Sequence, residues 1–352
     1  TYLYDGVGNR LSEIDVAASG GTTLRDRSYE YDQRHRLLSL TDSLDPDGAI
    51  DYQWDLNGNL RQRTEGGVPR ELFYDTRDQL IEVREPGQLL AFQYDWQGLR
   101  IRKVGPDGVV RYVYDDQSVL QQTDDQGSTL AKYEYGPDRL LSLDHATEGR
   151  QFYLFDALGS VVDLVRDDGT LQARYQWDAW GNRRGGAGES ENPFGFTGHE
   201  LDDETGWYYA KARFYDPEVG RFLTEDPVEG ATQDPPSLHR YVYGKVNPTV
   251  YIDPDGRTAV GDAIAGFFRR GSVDQAAELA DLVGSENLGA GVAAGVVGGI
   301  LGAVADTAAF GVDFVDFFAD VAVAGLAGDS ERGTASAEAL LRARDTTASV
   351  FT

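Results

Sequence analysis

The residues whose types could do chemistry gather between positions 193 and 256. An acidic run, His199-Glu200-Leu201-Asp202-Asp203-Glu204, is bracketed by Gly198 and Gly206, and two Asp-Pro pairs follow, Asp226-Pro227 and Asp253-Pro254. One His among four carboxylates could hold a hard cation such as Ca²⁺, but the spacing matches no EF-hand loop. A solvated turn ahead of the next strand accounts for the run, so no metal is assigned. The single residues His35, His145 and His239 carry no ligand pattern either. Each Asp-Pro pair is by itself a turn former whose carboxylate accepts backbone N–H bonds. No Cys occurs, which removes disulfides, cysteine-ligated metals and thiol nucleophiles. No motif calls for a cofactor.

Composition narrows the partners. With 59 acidic against 32 basic residues, the net charge is −27, a field that argues against direct contact with nucleic acid or anionic lipid. Such a balance suits a secreted or salt-exposed protein. Met is absent even at position 1, and residue 2 already lies inside a repeat, so the chain reads as an excerpt of something longer.

The elements that must position the 193–256 stretch are repeats. Tyr4-Asp5, Tyr31-Asp32, Trp54-Asp55, Tyr74-Asp75, Tyr94-Asp95, Tyr114-Asp115, Tyr135-Gly136, Phe155-Asp156 and Trp177-Asp178 recur every 20 to 27 residues. Most units carry aromatic-x-aromatic-Asp, then a turn such as Gly8-Asn9 or Gly58-Asn59, then alternating residues ending in Leu. That is strand periodicity on both sides of a turn, so each unit reads as a β-hairpin. One hairpin buries its aromatic face only against neighbours, and the units should stack into one sheet. The Asp residues are expected to accept turn N–H bonds, and the Tyr and Trp to be ladder or core residues before they are sugar platforms. The Gly-rich stretch 183–192 reads as a linker where the regular repeats stop.

After Gly256 the composition changes. Residues 257–352 contain no Tyr, Trp, His, Lys or Cys. Nuclease, deaminase, Ser-His-Asp and cysteine-hydrolase chemistries lose their usual groups there. Ser272-Val273-Asp274-Gln275 opens a helix to about Leu282, and 334–344 reads as another. Between them 288–305 is uncharged, with Gly291, Gly295 and Gly299 at the spacing that brings helices close. Its glycines favour a packed helical segment over a bilayer span. The stretch 307–328 sets Asp313, Asp316 and Asp320 against Phe310, Phe314 and Phe317, an amphipathic pattern that can become membrane-active on release.

The pieces TGHE (197–200), ETGWYYAKARFYDP (204–217), GRFLTEDP (220–227) and NPTVYIDPDG (247–256) together closely resemble the core-associated end of bacterial Rhs proteins. These are relatives of the Tc toxin C component and of the teneurin shell. The resemblance implies a mainly β fold: stacked β-hairpin YD repeats over 1–190 forming part of a spiralling shell, closed by an Rhs core domain over 191–257. A small α-helical C-terminal segment follows over 258–352.

It further implies self-cleavage by an aspartate pair. Asp226 comes from the first element, Asp226-Pro227-Val228-Glu229, and Asp253 from the second, Asp253-Pro254-Asp255-Gly256. Arg221 sits where the family's assisting arginine would be, and the bond cut would be Arg257–Thr258. Two carboxylates a few ångströms apart cannot both ionise, so one polarises the scissile carbonyl while the other activates water. Three features depart from the family pattern: Glu229 in place of Gly, the 27-residue interval between the aspartates, and Arg257 in place of an apolar residue.

Two functional readings follow. One is the C-terminal part of a secreted Rhs-type polymorphic toxin whose shell encloses its own C-terminal segment and cuts it free. Its partners would be secretion machinery, a target-cell membrane and an immunity protein. The other is a structural or adhesive cell-surface protein with a degenerate cleavage site, binding glycans through exposed Tyr and Trp.

Overall fold

The computed structural model describes residues 1–257 apart from 18–20, 137–138, 231 and 234. The helical reading of 258–352, including 288–305 and 307–328, lies outside the described residues, as does Thr258.

Eighteen strands, from β1 (Tyr2–Tyr4) and β2 (Arg10–Val16) through β17 (Leu171–Trp177) and β18 (Arg183–Gly188), make one antiparallel meander in which each strand pairs with the next. The turns explain why. In the first repeat Asp5 Oδ1 accepts the N–H groups of Val7 at 3.0 Å and Asn9 at 2.8 Å. The same two bonds recur at Asp95, from Gln97 and Leu99, and at Asp156, from Leu158 and Ser160. A short carboxylate two bonds from its own backbone thus closes most of the repeat turns locally, with Gly136 in its place in one repeat and Asp115 ending a strand in another.

A second regularity curves the strip. Trp54 pairs with Leu60 but Gln53 with Gln62, and the same one-residue slip separates Tyr31/Leu37 from Glu30/Ser39 and Tyr74/Leu80 from Phe73/Glu82. Each slip is a β-bulge just past the turn, and repeated bulges on the same side bend and twist a sheet in one sense. The strip therefore comes round on itself. Arg184 of β18 reaches Asp15 of β2 at 2.9 Å, and the Trp180 ring meets Tyr2 edge-on with centroids 6.4 Å apart.

The stretch 183–192 is a correction to the sequence reading. Its first six residues are strand β18, paired with β17, rather than a linker. Glycine is required there by space: a Cβ on Gly186 would lie 2.0 Å from the Arg174 carbonyl oxygen.

The inner face carries the residue two places before the Tyr, Trp or Phe of the repeat turn, aromatic in most units and Leu72 in one. Tyr29, Tyr52, Phe92, Tyr112, Tyr133, Tyr153 and Tyr175 are all buried. Each contributes roughly 1.5–3 kcal/mol by leaving water. The chain from 193 to 257 lies across this face as a strap, with a small antiparallel sheet of its own: β19 (Glu200–Asp202), β20 (Trp207–Ala210), β21 (Arg213–Asp216) and β22 (Arg221–Phe222). Trp207, Tyr209 and Phe214 join Tyr29, Tyr52 and Phe92 in one core, while Tyr112, Tyr133, Tyr153 and Tyr175 form a second against which Phe194 packs. The rows of Tyr are thus inward. Trp54 gives its indole N–H to the Leu37 carbonyl, whereas Trp96, at a turn tip, is 85% exposed.

Candidate active site

Part of the acidic run is a solvated turn, since Asp203 is exposed in the turn 203–206, but its other carboxylates are not solvated. Glu200 and Asp202 are buried, and the fully buried Arg100 on β10 (Arg100–Gly105) places Nη1 2.5 Å from Asp202 and Nη2 2.9 Å from Glu200. Lys103 Nζ adds contacts to Asp202 at 3.1 Å and Glu204 at 3.0 Å, and the Tyr112 hydroxyl donates to Glu200 at 2.8 Å. Burial would raise the Asp202 carboxyl, but Arg100 and Lys103 together hold it below its ordinary value. These carboxylates are taken up in fastening the strap to the wall.

At the far end of the strap the two aspartates singled out in the sequence come to one guanidinium. Arg213 Nη2 lies 2.8 Å from Asp226 Oδ2 and 3.1 Å from Asp253 Oδ2. Arg213 is on β21, packed flat on Phe222 with its guanidinium carbon 3.6 Å from the ring centroid. Its Nε donates to the Gly256 carbonyl and its Nη1 to the Arg240 carbonyl at 3.2 Å. Burial lowers the Arg213 pKa and raises that of Asp226, and in each case the opposite charge partly offsets it.

Each aspartate is also a turn residue. Asp226 Oδ1 accepts the Val228 N–H at 2.8 Å, and Asp253 Oδ1 accepts the Arg257 N–H at 3.0 Å. This repeats the geometry of the wall turns with one difference. In the wall the second carboxylate oxygen serves its own turn, as Asp55 Oδ2 does with Asn59. Here both second oxygens turn to Arg213. The DPDG turn itself is seated on the β20–β21 hairpin: Lys211 Nζ donates to the Pro254 carbonyl and the Ala212 N–H to that of Asp255, each at 3.1 Å. Gly256 fits because a Cβ there would lie 2.3 Å from the Ala210 carbonyl oxygen, and its φ is +69°.

Arg221 is elsewhere. It donates to Asn9 Oδ1 at 3.3 Å and to the His35 carbonyl, and lies over the Tyr31 ring, joining the strap to the first repeats. The arginine expected beside the carboxylates from sequence order is therefore Arg213 in space. A signal for it exists in the sequence: Arg213 interrupts the buried run WYYAKARFYDP, and a guanidinium inside such a run needs carboxylates of its own.

Such a pair can do aspartic chemistry: two carboxyls sharing one cation, one of them biased by burial toward its protonated form, beside the backbone at 256–257.

Residues 1–249 match the teneurin YD-shell family. The tRNA3(Ser)-specific nuclease WapA of Bacillus spizizenii is 32% identical over 285 residues, covering 76% of this chain and 11% of that protein. The double-stranded DNA deaminase toxin A of Burkholderia cenocepacia is 26% identical over 294 residues, or 72% of this chain and 19% of that one. A crystal structure of TcdB2-TccC3-Cdc42 is similar with a TM-score of 0.44 and 18% identity, covering 76% of this chain and 17% of that chain. The chain thus spans only 11% to 19% of the length of these relatives. The repeating Tyr-Asp turns, the meander they close and a match running through most of the strap together make this an Rhs/YD-repeat protein, and the chain belongs to the teneurin YD-shell family.

Proposed function

We propose that this chain is part of an Rhs-type toxin shell that encloses its own C-terminal segment, residues 258–352, and frees it by cutting Arg257–Thr258 once. The observation that supports the cut is the sharing of Arg213 Nη2 by Asp226 and Asp253. In this reading Asp226, whose carboxyl burial pushes up, serves as the acid and gives a hydrogen bond to the Arg257 carbonyl oxygen. Asp253 takes a proton from water as the water oxygen bonds to the carbonyl carbon. Collapse of the resulting diol breaks the C–N bond, a proton passes to the Thr258 nitrogen, and the products are a carboxyl on Arg257 and an amine on Thr258. Arg213 keeps the two carboxyls together and holds the preceding carbonyl, that of Gly256, in register.

The nuclease and deaminase activities in the relatives' names belong to those proteins. Residues 257–352 lack the His, Lys, Cys and Tyr that such activities usually use. The segment is better read as a linker or translocation piece that a shell keeps out of water. Secretion or surface display, an immunity protein and a target membrane belong to the same reading.

Denaturing electrophoresis of the purified chain tests it. Two fragments are expected from the wild type and one full-length band from Asp226→Asn or Asp253→Asn. A single wild-type band would leave the structural, adhesive reading.

A further inference from the structure

The strap grips the DPDG turn at every carbonyl. Besides the donors from Lys211, Ala212 and Arg213 to the carbonyls of Pro254, Asp255 and Gly256, the Asp253 carbonyl oxygen lies 3.0 Å from His199 Nε2. The Asp253 N–H donates to the Tyr243 hydroxyl at 3.3 Å, and that hydroxyl lies 3.0 Å from Thr197 Oγ1. Both peptide groups flanking the Asp253 Cα are therefore held by side chains, one on each side. A carboxylate with only two rotatable bonds points where its Cα and Cβ direct it, so these two contacts decide where Asp253 aims.

The chemistry of the His199 contact is fixed by its partner. A backbone carbonyl can only accept, so Nε2 carries the proton and the ring is the Nε2–H tautomer. The ring is buried, and burial keeps its pKa down at about 3, so it stays neutral wherever the protein is folded near neutral pH.

His199 is also tied to the wall. Its carbonyl accepts the Gly195 N–H at 2.9 Å, the Gly195 carbonyl accepts the Val161 N–H at 3.1 Å, and the Thr197 N–H donates to Ser160 Oγ at 3.1 Å. Val161 and Ser160 belong to the repeat wall.

We propose that His199 is a positioning residue for the self-cleavage: it holds the Asp253 carbonyl so that the carboxylate faces Arg213 and the 256–257 backbone, and it does so only when the strap is seated on the wall. This rests on the aspartate-pair reading above. Tyr243 is its counterpart on the N–H side.

The test follows the fraction cut over time during cell-free synthesis of the full chain. His199→Ala should slow cutting at least about ten-fold, and His199→Gln, whose side-chain amide can supply an N–H near the Nε2 position, should stay within about three-fold of wild type. The pH profile of His199→Gln between pH 5 and 8 should superpose on that of wild type. Melting temperatures measured in the uncut Asp226→Asn background report folding separately. If His199→Ala does not fold, His199→Gln and Tyr243→Phe carry the test, with Tyr243→Phe slowed several-fold. Equal rates for wild type and His199→Ala would overturn the inference alone. Loss of cutting in a folded His199→Gln would overturn it too, because the ring would then be doing proton chemistry. An uncut wild type would overturn the aspartate-pair reading and this inference with it.

Discussion

Asp226 and Asp253, 27 residues apart in the chain, place their Oδ2 atoms on the same nitrogen of Arg213, at 2.8 and 3.1 Å. Nothing local brings them there. Asp226 follows the last strand of the strap sheet, Asp253 opens the turn that ends the described chain, and the arginine between them lies on a third segment.

That arrangement separates two arginines that sequence order confuses. Arg213→Lys keeps a positive charge but loses the fork that reaches Gly256 and both carboxylates, and should slow cutting by roughly 10- to 100-fold. Arg221→Lys should cut at close to the wild-type rate while losing about 1–3 kcal/mol of stability, because its bonds to Asn9 and His35 tie strap to wall. Cutting rates together with urea midpoints in the Asp226→Asn background check both. The reverse pattern would return the assisting role to Arg221.

Gly256→Ala should block cutting by at least about ten-fold with little change in global stability. The added Cβ meets the backbone oxygen of Ala210 at 2.3 Å, and the turn must lift away from Lys211–Arg213. Time-course electrophoresis reads the rate. Unimpaired cutting would mean that the seat on the β20–β21 hairpin is not used.

The wall fastening gives a stability prediction. Asp202→Ala strands the fully buried Arg100 with one carboxylate fewer and should cost about 3–5 kcal/mol, whereas an exposed pair such as Arg150–Glu134 should be worth under about 1 kcal/mol. Denaturant unfolding compares the two. A loss from Asp202→Ala no larger than that from Glu134→Ala would show that the strap is held by its aromatic side alone.

Asp216 should make stability depend on pH. Its Oδ1 accepts the Glu218 N–H, while its Oδ2 is buried with no hydrogen-bond partner among the described residues. Burial, followed by the Glu218 charge, pushes its pKa up to about 6 from 3.8. Between those values the folded chain keeps a proton that the unfolded chain releases, so stability falls as pH rises through that window and levels off above it. Relative to Asp216→Asn, the uncut protein should lose about 2 kcal/mol between pH 4 and pH 7. Parallel urea curves for the two proteins at both pH values would contradict this.

The features legible in the sequence are those fixed within a single repeat. Alternation gave the hairpins, and the Asp at most of the turns, as at Asp5, accepts the N–H groups two and four places on because its side chain reaches no further. Features that depend on partners far along the chain were not legible. The acidic run 199–204 looks solvated until Arg100 and Lys103, about a hundred residues earlier, are seen to enter it. The stretch 183–192 looks like a linker because glycine is poor in strands, yet close approach to the Arg174 carbonyl is what demands glycine there. The two aspartates could be chosen from their motifs. Arg213 is marked in the sequence only as a guanidinium inside a buried run; that its carboxylates are these two depends on how β21 packs under the 253–257 turn.

The most direct test is the intact mass and N-terminal sequence of what the full chain becomes after purification. Two species are expected, one ending at Arg257 and one beginning at Thr258, replaced by a single full-length mass in Asp253→Asn. A full-length wild-type mass, or a cut that survives in Asp253→Asn, would contradict self-cleavage by the aspartate pair.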